Sequence, residues 1–66
     1  MSETEKSIRA NFAGYQNKGI RYEIRDAIRR NPKDPSTAVR SLAKRIALTA
    51  QGITGLEAVA LTLEAT

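Results

Sequence analysis

Residues 47–56, ALTAQGITGL, decide how this 66-residue chain folds, because their sequence allows two arrangements. In the first arrangement, a third helix continues through Gln51 and ends at Gly52, a residue type that favours helix ends. Thr54 then opens a last helix with a capping box, in which side chains bind the free backbone N–H groups. This arrangement predicts a plain helical hairpin, with Leu48 projecting away from the apolar side of the third helix.

In the second arrangement, the helix breaks at residues 47–49, Leu48 turns inward and Thr49 caps a new helix. The apolar residues of that helix then form one continuous stripe, which contains Ile53, Leu56, Ala60 and Leu63. Gly52 and Gly55 lie inside the helix, at a cost of about 1 kcal/mol each relative to alanine. Each arrangement carries one conflict, so the sequence leaves both open.

The rest of the chain also contains signals for the starts and ends of helices, and signals for β-strands are nearly absent. Ser2 and Glu5 predict a capping box at the start of a helix over about 3–13, and residues 14–19 predict a loop. A second helix is expected from about Ile20 to Arg30. Asp34 as N-cap, followed by Pro35, predicts the start of the third helix. The last helix is expected over about residues 55–65.

Apolar residues recur at helical spacing in each of these segments and predict the buried faces. The expected core residues are Ile8 and Phe12 in the first helix, Ile20, Ile24, Ala27 and Ile28 in the second, Val39, Leu42, Ala43 and Ile46 in the third, and Leu56, Val59, Ala60 and Leu63 in the last. Tyr15 and Tyr22 are expected to be half-buried. The predicted fold class is all-α, a compact bundle of three to four short helices in one domain over residues 1–66.

Composition argues against several classes of function. The chain has no cysteine and no histidine, so disulfides and the usual zinc sites are excluded and neither a metal nor a cofactor is expected. Glu23 and Asp26 lie one turn apart, but Arg30 beside them indicates a charge network, so we expect no enzyme activity and no small-molecule substrate. No segment is apolar enough to span a membrane, and the polar N-terminus is unlike a signal peptide. A cytoplasmic protein is expected.

Basic residues are concentrated in the middle of the chain. The whole chain has 11 basic and 7 acidic residues and a net charge of +4, whereas residues 46–66 contain only Glu57 and Glu64 as charged residues. A basic segment joined to an apolar one predicts one surface for a polyanion and another for self-association.

Residues 41–56, SLAKRIALTAQGITGL, resemble the helix-turn-helix of lambda-repressor-like phage regulators. Leu42 and Ala43 match the residues at which the two helices touch. Residues 46–48 match the apolar, small and apolar residues of the turn, and Thr49 matches the cap of the second helix, which continues with apolar residues. The resemblance implies a sequence-specific regulator of a phage or mobile element, such as a repressor, that binds double-stranded DNA as a homodimer.

The resemblance also implies which residues contact DNA. Thr49, Ala50, Gln51 and Thr54 correspond to residues that face the bases in the major groove. Phosphate contacts are expected from the preceding helix through Arg40, Lys44 and Arg45. An arginine stripe along one flank of the second helix extends this set with Arg21, Arg25 and Arg29.

The last helix predicts a contact between two copies of the chain. Leu61 projects between the two glutamates on the side of the helix that faces solvent, and Ala58 and Ala65 add small apolar surface beside it. The same residues also suit the main alternative, a small helical protein that docks onto a host protein as an inhibitor or accessory subunit. A third hypothesis is RNA binding through the arginine stripe of the second helix.

Overall fold

The computed structural model describes residues 2–13, 18–46 and 49–65, and within these ranges all regular secondary structure is helical. The predicted all-α fold class is therefore confirmed, with four helices: α1 (Glu3–Phe12), α2 (Lys18–Arg30), α3 (Pro35–Arg45) and α4 (Ala50–Ala65). The radius of gyration, 10.5 Å, agrees with the value of about 11 Å expected for a compact chain of this length. The largest differences from the predicted bounds are at α2, which begins two residues before Ile20, and at α4, which begins at Ala50.

Two of the helix starts are fixed by the predicted capping residues. The Ser2 hydroxyl accepts a hydrogen bond from the backbone N–H of Glu5 at 3.1 Å. The Asp34 carboxylate accepts one from the backbone N–H of Thr37 at 3.3 Å, with proline in the first turn. Each cap satisfies an N–H group that has no partner within the helix.

The chain breaks its helix between α3 and α4, so the arrangement with one helix running to Gln51 is wrong. Ile46 is already extended, with φ −113° and ψ 124°. The Thr49 hydroxyl accepts a hydrogen bond from the backbone N–H of Gly52 at 3.1 Å, as predicted for a cap. No glycine of the described ranges has a positive φ, so Gly52 is a helical residue and not a helix end. The predictions made for Ala47 and Leu48 lie outside the described residues.

The four helices form a ring in chain order, with α4 packed against α1 as well as against α3. Consecutive helices are joined at one end and also contact each other away from that connection, through Glu5 and Arg25, Glu23 and Arg45, and Arg40 and Glu57, so they run in opposite directions. The same holds for α1 and α4, because Phe12 lies against Gly55 and Ser2 lines one cavity with Leu63. α2 therefore lies diagonally across the ring from α4, and α1 meets α2 along the thinnest of the four contacts. α1 and α3 end at the same end of the ring at which α2 and α4 begin.

The core is made of the apolar faces that the sequence predicts. Fully or almost fully buried side chains come from all four helices: Ile8, Phe12, Ile24, Ala27, Val39, Leu42, Leu56, Val59 and Ala60. The predicted residues Ile20, Ile28, Ala43, Ile46 and Leu63 are partly buried against them. Gly55 is buried where α1 crosses α4. The two helices approach so closely there that a Cβ atom at this position would lie only 2.9 Å from Cζ of Phe12.

Two predictions of burial are wrong. Ile53 was expected in the core stripe of the last helix, but its side chain is 48% exposed. The buried face of α4 instead passes through Gly52, Gly55, Leu56 and Val59, which places Ile53 at its edge. Tyr22 was expected to be half-buried and is 59% exposed, because it lies two residues from Ile24 on the opposite side of α2. Tyr15 lies outside the described residues.

Candidate nucleic-acid interface

The net charge of the protein is concentrated at one end of the helical ring. We call this end the basic pole; it is the end at which α1 and α3 finish and α2 and α4 begin. Its basic residues are Arg9, Lys18, Arg21, Lys44 and Arg45, and its one acidic residue is Glu23. The rest of the chain contains six basic and six acidic residues, so the basic pole accounts for the whole net charge of +4.

Three of the six residues expected to contact phosphate are instead held by carboxylates. Nε and Nη2 of Arg25 each donate a hydrogen bond of 3.1 Å to Glu5, and Nη2 of Arg29 donates one of 2.7 Å to Asp26. Hydrogen bonding to Arg25 lowers the pKa of Glu5 below its ordinary value. Both arginines lie on α2, away from the start of α4, and each is already paired with a carboxylate.

Arg40 is the most strongly held of the expected phosphate contacts. Its Nε and Nη2 atoms donate to the two oxygens of Glu57 at 2.9 and 2.8 Å, and Nη2 also lies 2.7 Å from Glu64. These hydrogen bonds raise the pKa of Arg40 and lower the pKa of Glu57. Arg40 therefore fastens α3 to α4 and neutralises much of the charge on the exposed side of α4.

The other three expected phosphate contacts belong to the basic pole. Lys44 is exposed, and no carboxylate of the described ranges pairs with it. Arg45 lies 3.9 Å from Glu23, a distance too long for a hydrogen bond. Arg21 is partly buried, and its Nε atom has no hydrogen-bond partner. These three cations can bind a polyanion without giving up a short ion pair.

Arg9 joins this group, although the sequence does not predict it. Glu5 stands four residues before Arg9, the favourable spacing for an ion pair within a helix. In the structure Glu5 pairs with Arg25 instead. Arg9 affects the pKa of Glu5 only through its positive charge, and this effect is smaller than that of Arg25. The tertiary contact with α2 therefore leaves Arg9 available at the basic pole.

The residues expected to face DNA bases lie together at the start of α4. Thr49, Ala50, Gln51 and Thr54 are all exposed. The Thr54 hydroxyl donates to the backbone carbonyl of Ala50 at 3.1 Å and keeps its capacity to accept a hydrogen bond. Among the described residues, none is hydrogen-bonded to the side-chain amide of Gln51. The first two turns of α4 therefore present a polar, accessible surface beside the cations of the basic pole.

The outer side of α4 continues from this surface as an apolar strip. The side chain of Leu61 is 56% exposed, Ala65 is exposed and Ala58 is partly buried. The two charged residues of α4, Glu57 and Glu64, are those that Arg40 binds. This surface is where the sequence predicts a contact between two copies of the chain.

Within the described ranges, acidic residues do not gather in groups that would hold a metal ion. None of the four described helices has both the length and the apolarity of a membrane-spanning segment. Comparison with protein-family models, curated proteins and solved structures found no significant match. The function is therefore inferred from the geometry and charge of this chain alone.

Proposed function

We propose that this protein binds double-stranded DNA through the basic pole, as a small regulator of the helix-turn-helix type. One observation carries the proposal: the whole net positive charge lies at the end of the fold that also presents the accessible start of α4. Positive charge clustered on one surface is the electrostatic footprint of a nucleic-acid-binding protein. The positive end of the α4 helix dipole points in the same direction and adds to it.

In this proposal the residues divide into two sets with different tasks. Arg9, Arg21, Lys44 and Arg45 contact phosphates, which fixes the position of the protein without reading sequence. The side chains at the start of α4 enter the major groove, where Gln51 can bind adenine with two hydrogen bonds and Ala50 can contact a thymine methyl group. Thr49 and Thr54 flank them and offer hydroxyl groups to base edges or phosphates. Arg25, Arg29 and Arg40 are not part of this interface, because each is bound to a carboxylate.

A titration of the protein with a fluorescent DNA duplex at several salt concentrations tests the proposal. We expect the logarithm of the binding constant to fall linearly with the logarithm of salt concentration, with a slope of about −3.5 for four phosphate contacts. Absence of binding at low salt, or an affinity that does not depend on salt, contradicts the proposal. If duplex RNA competes more strongly than duplex DNA, the ligand of the basic pole is RNA.

The apolar strip on α4 supports a second proposal, which is docking onto a protein surface. Ile53 and Leu61 are exposed on a helix whose two charged residues, Glu57 and Glu64, are both bound by Arg40. Exposed apolar residues mark a contact with another protein when they form a continuous patch, and Ile53 and Leu61 are the large exposed apolar residues of α4. For a DNA-binding regulator, the partner is a second copy of the chain; for an inhibitor or accessory protein, it is a host protein.

Replacing Leu61 by glutamate distinguishes these partners. If the strip joins two copies, wild type sediments as a dimer at about 100 µM and Leu61→Glu as a monomer, because a charge in an apolar contact is unfavourable. The control is Tyr22→Glu, a substitution of another exposed apolar residue on the diagonally opposite helix, which should leave the dimer intact. Because Leu61 is exposed in the single chain, the Leu61→Glu substitution should change the thermal stability of the individual subunit little. A monomeric wild type at this concentration contradicts the dimer and favours docking onto a host protein.

A further inference from the structure

Glu23 is the acidic residue of the basic pole, and it lies where α2 meets α3. Together with Arg45 it lines two neighbouring cavities along this contact, a larger one that also involves Tyr22 and Ser41 and a smaller one beside Ile20. Both charged residues are accessible, with 37% of the Glu23 side chain and 71% of the Arg45 side chain exposed. An anionic ligand can therefore approach Arg45 while Glu23 remains beside it.

The contact between Glu23 and Arg45 is looser than every other arginine–carboxylate pair of the described ranges. Nη2 of Arg45 lies 3.9 Å from Oε2 of Glu23, whereas the other pairs have distances of 2.7–3.1 Å. At 3.9 Å the two charges attract each other but form no hydrogen bond. Glu23 thus attracts Arg45 without occupying the donors of its guanidinium group.

A phosphate bound by Arg45 would come close to Glu23. A phosphate oxygen that accepts a hydrogen bond from the same nitrogen, at about 2.8 Å, would lie within about 7 Å of the Glu23 carboxylate. Charges still act on each other over this distance, because the screening length at physiological salt is about 8 Å. The carboxylate and the phosphate therefore repel each other and compete for the same cation.

We propose that Glu23 competes with a backbone phosphate of the bound nucleic acid for Arg45 and thereby limits the affinity of the basic pole. The competition acts on a phosphate contact, so it weakens binding to every DNA sequence alike. Its effect decreases as the salt concentration rises, because salt screens the repulsion. The inference rests on the proposed nucleic-acid function and gives Glu23, which is not itself a contact to DNA, control over the strength of binding.

The test replaces Glu23 by glutamine, which keeps the size and polarity of the side chain and removes its charge. We expect Glu23→Gln to strengthen binding to duplex DNA by about 5-fold at about 0.1 M salt, the upper end of what an exposed ion pair contributes, and by less at higher salt. The control is Glu3→Gln, the same substitution at the opposite end of the fold, where Glu3 is exposed and lies 3.5 Å from Lys6. This control should bind almost as wild type does. Equal affinities of the two variants overturn the competition while leaving the proposed function standing.

Removing Arg45 shows whether Glu23 acts through this residue. When Arg45→Gln is already present, Glu23→Gln should strengthen binding no more than Glu3→Gln does, since the cation for which the two anions compete is absent. A gain of the same size with and without Arg45 would mean that Glu23 acts only through the overall charge, which contradicts the competition.

A second ligand keeps the competition testable if the protein does not bind DNA. The probe is heparin, a sulfated polyanion that binds basic surfaces, and the salt concentration at which each variant leaves a heparin column is measured. We expect Glu23→Gln to elute at higher salt than wild type and Glu3→Gln to elute with wild type. This result in a protein without affinity for DNA would support the competition and contradict the proposed function. Elution of all three proteins at the same salt, together with equal DNA affinities, overturns the competition.

Discussion

Replacing Arg9, Arg21 and Lys44 together by glutamine is expected to lower the affinity for duplex DNA by about 100-fold at 0.15 M salt. Each of these residues is proposed to neutralise one phosphate, and each neutralised phosphate releases bound counterions into solution. Losing three such contacts should also reduce the slope of the log–log salt dependence by about 2.7. Because none of the three residues is paired with a carboxylate in the described part of the chain, the substitutions remove no ion pair from the fold.

The matched control removes the same amount of charge from the opposite end. Lys6, Arg30 and Lys33 lie away from the basic pole and are exposed, and their replacement by glutamine lowers the net charge equally. We expect this variant to keep most of its affinity. Circular dichroism and thermal unfolding establish that both variants fold. If both triple variants lose affinity to the same extent, the overall charge drives binding and the basic pole has no special role.

Replacing Gly55 by valine is expected to destabilise the protein by about 3 kcal/mol, as an overpacked core does. A Cβ atom at this position would lie 2.9 Å from Cζ of Phe12 and 3.2 Å from Cβ of Asn11. The ring of Phe12 is fully buried, so moving it aside would disturb the packing of the core. A single core in a chain this short supplies about 3–5 kcal/mol, so much of the protein should be unfolded at 37 °C. Urea unfolding followed by circular dichroism measures the change.

The neighbouring residue provides the comparison. Thr54→Val places the same β-branched side chain on the same turn of α4, but on the exposed side. We expect the free energy of unfolding of this variant to stay within about 0.5 kcal/mol of wild type. If Gly55→Val is as stable as Thr54→Val, α1 does not pack against α4 at Gly55.

Much of this fold follows from local sequence signals. The caps at Ser2 and Asp34 and the apolar faces of all four helices depend on residues three or four apart, which the sequence displays directly. The choice between the two arrangements of residues 47–56 does not follow from such local signals. It is a choice between two hydroxyl caps, at Thr49 and at Thr54, which local spacing does not rank; the packing of Phe12 against Gly55 then fixes the inner face of α4. The exposure of Ile53 is a consequence of the same packing, since it sets which side of α4 faces inward.

The candidate site was less predictable, because ion pairs between helices cannot be seen in the sequence. Local spacing correctly predicts the contact between Asp26 and Arg30, four residues apart and 3.1 Å from each other. The same rule assigns Glu5 to Arg9, but the bundle brings Arg25 closer. Arg40 was expected to contact phosphate, yet the packing of α3 on α4 places two glutamates against it. The division of basic residues between bound and available depends on tertiary structure.

The bridge from Arg40 to Glu57 and Glu64 has a consequence for how α4 is oriented. The two glutamates are seven residues apart, a separation of about 10 Å along the helix, and one guanidinium binds both. Rotation of α4 about its own axis would pull both carboxylates away from Arg40 at once. An α-helix turns as a unit, so this bridge adds to the packing at Gly55 in fixing the angle at which Gln51 is displayed, although neither glutamate lies near Gln51. Arg40, which lies outside the proposed interface, thus helps to orient the side chain of Gln51 within it.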